Sequence, residues 1–298
     1  MTFKNKNARL FFPSTSLQDL SATTHLCIAA HQDDIEIMAA GAILECFGKN
    51  TFTGVVVTDG AGSPRAGHYA AFTDEDMRSA RAVEQENAAS IGQYNAQFQL
   101  GYTSSQAKDG NCQLLVNELA DIIVATSPDI VFTHNFADKH DTHVAIAMRT
   151  LQALRQLPAS SRPCAVYSME VWRSLDWVCD AQKVLFDTSC NHELQKKLIA
   201  AHSSQISTAG EIANEADEIS TNGKLTYNKR YDIAALGRKQ SNATFFESSK
   251  TDQILSAEYG IDITALVSND QLSPVDFITE YISMFEQDVR ARIGRVSI

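Results

Sequence analysis

No apolar run approaches the roughly 18 residues that a membrane-spanning helix needs. The first 22 residues also lack the apolar stretch and small-residue cleavage site of a secretion signal. Together these absences predict a cytoplasmic chain with no membrane partner. Cysteine is sparse, with six residues and no C-x-x-C spacing of the zinc-ribbon or redox kind. Cys27 and Cys164 sit in apolar runs and read as reduced core thiols. Basic residues are outnumbered 25 to 36, giving a formal charge of −11, and no Lys/Arg run offsets it locally. A nucleic acid, which needs clustered cations on its phosphates, is therefore excluded as a partner. Also missing are a G-x-G-x-x-G after the first strand, a phosphate-binding G-x-x-x-x-G-K-[ST], a G-x-S-x-G elbow and an H-E-x-x-H pair. Dinucleotide, P-loop and serine-hydrolase chemistry lose their usual signatures with them.

What the sequence does contain is an ordinary soluble composition, 44% hydrophobic and 20% charged, in 298 residues. Short β-branched runs alternate with helix-period segments, the pattern of βαβ units. Strands are expected at 24–30, 51–59, 96–101, 129–135, within CAVYSMEVW after Pro163, and at 184–187. Helices are expected at 35–48, 73–92 with Thr73 as N-cap, 112–126, about 141–157, 189–207, 228–241 and 273–291. The fold class is α/β: a Rossmann-like, mostly parallel sheet flanked by helices, with a mainly helical C-terminal extension. One domain is expected over 1–298, its core at about 22–205 and the extension at about 206–298.

Two clusters carry chemistry. His31-Gln32-Asp33-Asp34 follows the first buried strand, and His140-Asp141-Thr142-His143 follows the strand at 129–135 across a polar loop. Strand carboxyl ends border the ligand crevice of an open parallel sheet, so both clusters belong at one edge. Ionisable groups there must be solvated, paired or metal-bound. Imidazoles with a carboxylate form a familiar zinc set, and two adjacent aspartates suggest divided work, one binding and the other moving protons. Taken singly, each residue is more simply a cap or a surface group. Jointly they point to metal-assisted hydrolysis.

These residues resemble the PIG-L/LmbE-type deacetylases. AAHQDDIEIMAAGAI stands where that family has A-H-P-D-D-E, with Gln32 for proline, Ile35 for the acid, and Glu36 one position later. VVVTDGAGSPRAG resembles its second strand and T-D-G loop, Arg81-Ala82-Val83-Glu84 its R-x-x-E helix, THNFADKHDTHVAI its H-x-D-H segment, and KLIAAHSSQ its K-x-x-A…S-Q helix. The resemblance implies His31, Asp34 and His143 as ligands of one zinc ion, a set that iron(II) also accepts. It implies Asp33 as general base, His140 as the imidazolium facing the oxyanion or the leaving amine, and Arg81 as a substrate contact. Arg65 and His68 in the glycine-rich loop are further candidates, Arg65 the better. Arg81 reads equally well as an i,i+3 ion pair with Glu84. The family's acid before its final histidine is Thr142 here, which leaves Asp138 or Asp141 to orient His140.

The resemblance implies a small-molecule substrate, an N-acylated amino sugar. The alternatives are a catalytically idle metal-binding protein and a metal hydrolase acting on an ester. Aromatics in EVWRSLDW (170–177) could line a sugar site, although such a run is more often strand core. Whether the chain forms a homo-oligomer is open at this level.

Overall fold

The protein is described by a computed structural model covering residues 2–14, 18–65, 67–210, 233–246 and 254–296. Eight strands form one sheet: β1 (Arg9–Phe11), β2 (His25–Ala29), β3 (Phe52–Thr58), β4 (Ala96–Tyr102), β5 (Ile130–His134), β6 (Ala165–Met169), β7 (Val184–Asp187) and β8 (Ala257–Asp262). Their spatial order is β1-β4-β3-β2-β5-β6-β8-β7. Strands β4 to β6 in that order pair parallel, while β1 pairs antiparallel at one edge and β8 runs antiparallel between β6 and β7.

The helices are α1 (Asp34–Met38), α2 (Ala40–Cys46), α3 (Asp74–Ile91), α4 (Ser104–Lys108), α5 (Gln113–Thr126), α6 (Asp141–Gln156), α7 (His192–Ala200), α8 (Ser203–Gly210), α9 (Arg238–Phe245), α10 (Thr264–Ser268) and α11 (Pro274–Val296). A π-helical turn at Ile233–Gly237 leads into α9. Of the helix expected at 228–241, the residues before 233 lie outside the described ones.

Side-chain alternation along each strand feeds two cores. Leu26 and Ile28 of β2 pack with Val55, Phe98, Leu119 and Ile146 on the face under α5 and α6. Cys27 and Ala29 pack with Val56, Phe132, Ile35, Ile43 and Leu198 on the face under α1, α2 and α7. Burial on both faces explains why these strands read as continuous apolar runs. Cys27 and Cys46 are core thiols, but Cys164 is exposed one residue before β6 begins, which corrects its reading as a core residue.

Helix α3 begins at the expected N-cap. The Thr73 hydroxyl accepts from the Asp76 amide and the Asp76 carboxylate accepts from the Thr73 amide, a reciprocal capping box. The helix expected at 35–48 is instead broken at Ala39, between α1 and α2. The cause lies more than 200 residues away. Glu258 of β8, in the C-terminal extension, accepts from the amides of Ala40 (3.2 Å) and Gly41 (2.7 Å) and caps the start of α2. Lys239 of α9 stands 3.3 Å from the same carboxylate, both side chains being 1% exposed. Glu258→Ala strips that buried ammonium of its counter-ion and is expected to cost about 3–5 kcal/mol, read as a lower urea midpoint with an unchanged m-value.

Candidate metal centre

From β2 the chain builds β3 and β4 on one side, then crosses to β5 and β6 on the other. The sheet's topological switch point therefore falls between β2 and β5, where a crevice opens beyond their carboxyl ends. His31, Asp33 and Asp34 leave β2 into this crevice, and His140 and His143 enter it at the start of α6. A cavity of about 300 Å³ is lined by all five, together with Thr58, Asp59, Arg81, Lys108, Trp172 and Gln205.

Three donor atoms form a near-equilateral triangle. His31 Nδ1 lies 3.1 Å from Asp34 Oδ2 and 3.1 Å from His143 Nε2, and the third side, His143 Nε2 to Asp34 Oδ2, is 3.3 Å. Ligands held about 2.0–2.1 Å from a tetrahedral zinc ion stand about 3.3 Å apart, so the spacing and the donor chemistry both fit one zinc-sized cation. Burial would raise the Asp34 pKa, but His143, His31 and His134 around it hold the carboxyl well below its usual range. His143 is pushed the other way, to about 10: burial lowers it, and Asp34 and Asp138 more than reverse that.

Asp138 settles one open point. Its Oδ1 lies 3.3 Å from His143 Nδ1 and accepts from the His140 backbone amide at 2.9 Å, so it orients the prospective ligand rather than the His140 ring. His140 is instead held by its own helix. It is the N-cap of α6, and its Nδ1 accepts from the Thr142 amide at 3.2 Å. That bond assigns the proton to Nε2 and the neutral form to the ring. Burial, with His31 and His143 nearby, lowers its pKa in the same sense.

Asp33 occupies a left-handed backbone position, φ 97°, uncommon for a residue with a side chain. Its amide donates to Gln85 Oε1 at 3.3 Å, and Gln85 Nε2 in turn donates to the buried Glu36 at 2.9 Å. Burial raises the Asp33 pKa, Arg81 opposes that, and Asp34 reinforces it; the net direction is upward.

Arg81, expected to touch substrate, lies at the back of the crevice and is 2% exposed. Its guanidinium stands 3.3 Å from Asp33, donates to the Gln32 carbonyl, and lies 3.5 Å from Glu84. Glu84 accepts from the Ser204 amide (2.6 Å) and hydroxyl (2.7 Å). The R-x-x-E and S-Q segments thus form one buried chain of charge behind Asp33. Arg81→Met leaves two buried carboxylates without their cation and is expected to cost about 3–5 kcal/mol, measured by urea unfolding; an arginine that only gripped substrate would leave stability unchanged. Gly60, φ 74°, fits closely here, because a Cβ would stand 2.7 Å from Gln32 Oε1 and 2.9 Å from Arg81 Cβ. Gln32, in the family's proline position, donates to the Thr58 carbonyl at 3.1 Å and ties the turn to β3.

Arg65 is drawn away from the crevice, bonded to the Ala61 carbonyl and paired with Asp74. His68 stacks edge-on with Tyr69 and Phe72. Of the aromatics in 170–177, Trp172 lines the crevice and Trp177 packs on the core.

The sequence reading missed His134, the last residue of β5. It is fully buried, stacks 4.0 Å from the His143 ring and accepts from the Ala30 amide at 2.8 Å. Burial and His143 lower its pKa to about 4. Its donor atoms also close a second compact group, Asp34–His134–His143, beside the group His31–His140–His143. The available signal was a histidine ending a buried, mainly apolar strand.

Fold and site define an open α/β protein with a histidine–aspartate centre at the switch point of its sheet. Residues 26–154 match the model of the PIG-L family, described as GlcNAc-PI de-N-acetylase. No curated protein matches the chain. Among solved structures, N,N'-diacetylchitobiose deacetylase from Pyrococcus horikoshii is similar at 17% identity and TM-score 0.58, over 83% of this chain and 86% of that one. The 4-carboxy-2-hydroxymuconate hydratase from Pseudomonas putida is similar at 18% and 0.56, over 81% and 96%. A conserved protein from Thermus thermophilus is similar at 16% and 0.57, over 80% and 94%. At such identities these likenesses show the fold.

Proposed function

We propose that this chain is a metal-dependent hydrolase that removes the N-acetyl, or another N-acyl, group from an amino-sugar-type small molecule. The observation that carries the reading is the His31–Asp34–His143 triangle with Asp33 beside it in one crevice. The family match to a de-N-acetylase and the fold shared with a diacetylchitobiose deacetylase support it. Because a protein named a hydratase has the same fold, the reaction is argued from the site and not from the architecture.

His31, Asp34 and His143 would hold one zinc or iron(II) ion, which would act as a Lewis acid toward the acyl carbonyl and would make water a better nucleophile near neutral pH. Asp33, held above the usual carboxylate range, takes the proton of the attacking water. Arg81 keeps that carboxylate in place and is a positioning residue in this reading. His140 acts as a neutral ring whose Nε2–H hydrogen-bonds the developing oxyanion, in place of the imidazolium implied by the family resemblance, and the proton that Asp33 takes from the water is the one delivered to the departing amine. Trp172 offers a ring to a sugar face.

The test is acetate release from a panel of N-acetylated amino sugars by the zinc-loaded and the chelator-stripped protein. Release that requires the metal supports the assignment. A zinc-loaded protein that releases no acetate from any of them, or one equally active after stripping, overturns it.

A further inference from the structure

Among the described residues, helix α11 is buried against the body mainly near its start. Phe277 and Ile278 are buried and Tyr281 packs partly on the core, whereas Ile282, Met284, Val289, Ile293 and Val296 are 37–77% exposed. Six of the eleven exposed large apolar side chains among the described residues lie on this helix, so its apolar surface is concentrated and not incidental. At about 100° per residue, Ile278, Ile282, Phe285, Val289, Ile293 and Val296 share one stripe about 80° wide. The stripe that docks the helix therefore continues past its dock. The projecting part, from Ile282 on, has the length at which an isolated helix is marginal in water, so packing against something must sustain it. Between it and the body runs a cleft of about 1130 Å³, lined by Phe285, Asp288, Val289 and Arg292 on one side and Val178 and Phe245 on the other.

The charges identify the occupant. Asp276, Glu280, Glu286 and Asp288 precede Arg290, Arg292 and Arg295 along the helix. On one flank of the stripe Asp288 is followed by Arg292 and Arg295; on the other Glu286 is followed by Arg290. In an antiparallel pair each flank meets its own counterpart reversed, so acid faces base on both flanks. A parallel pair would set like charges against each other. The intrahelical pairs Glu286–Arg290 (2.6 Å) and Asp288–Arg292 (2.7 Å) are exposed, contribute little on their own, and leave the groups free to share. A second copy also carries a charge of −11, so association needs this local match.

We propose that the protein self-associates through α11, two copies pairing antiparallel about a twofold axis with their apolar stripes in contact. Light scattering coupled to size exclusion is expected to give twice the 32.7 kDa chain mass at micromolar concentration, falling to the single-chain mass for Ile282→Glu/Val289→Glu. Charge supplies the second arm. Arg292→Glu/Arg295→Glu and Asp288→Lys, which change the same flank, are each expected to weaken the dimer at least tenfold, and their mixture to restore it. Raised salt is expected to weaken the native dimer. A native chain of single mass, or a dimer unmoved by the apolar pair, overturns the interface; a dimer strengthened by salt overturns the antiparallel arrangement.

Discussion

Replacing His143 with alanine is expected to drop bound zinc from one ion per chain to none after dialysis, and metal-dependent turnover to background. His143 supplies one corner of the donor triangle, at 3.1 Å and 3.3 Å from the other two atoms, and it also meets Asp138. Without it, His31 and Asp34 remain as two donors, short of the three protein ligands a catalytic zinc site uses. Far-ultraviolet circular dichroism and the urea midpoint separate loss of metal from loss of fold. His143 is buried between two carboxylates, so some destabilisation of the variant is also expected. A folded variant that keeps one zinc per chain would show that another group, such as the adjoining Asp34–His134 pair with His31, is the true ligand set.

Asp33→Asn is expected to bind zinc as the native protein does and to lower kcat by about 10²–10⁴, the usual worth of a positioned general base, with KM little changed. Asparagine is the informative replacement because it tolerates the left-handed conformation recorded at this position and keeps the side-chain shape. The loss then reports the missing proton acceptor and not a moved turn. Full activity in Asp33→Asn would remove the proton-transfer role assigned here.

Much of the architecture was legible because burial on both sheet faces leaves strands as unbroken apolar runs, and because local capping marks helix starts. The run TFTGVVVTD became β3, and Thr73 with Asp76 opened α3 by a bond pattern that needs no distant partner. The break at Ala39 was not legible, since its cause, Glu258, is remote in the chain. Nor was β8, which lies between β6 and β7 although the extension read as mainly helical.

The site divides the same way. Residue types and spacing alone determined that His31, Asp33, Asp34, His140 and His143 would gather at one sheet edge, because strand carboxyl ends and the loops after them are local features. Only the tertiary structure decided what each group faces. It put Arg81 behind Asp33, gave Asp138 to His143, bound His140 to its own helix, drew Arg65 off to Asp74, and added His134. The physical reason is that a side chain's role follows from its nearest charges and hydrogen-bond partners, and in a doubly wound sheet those come from segments that are far apart in the chain.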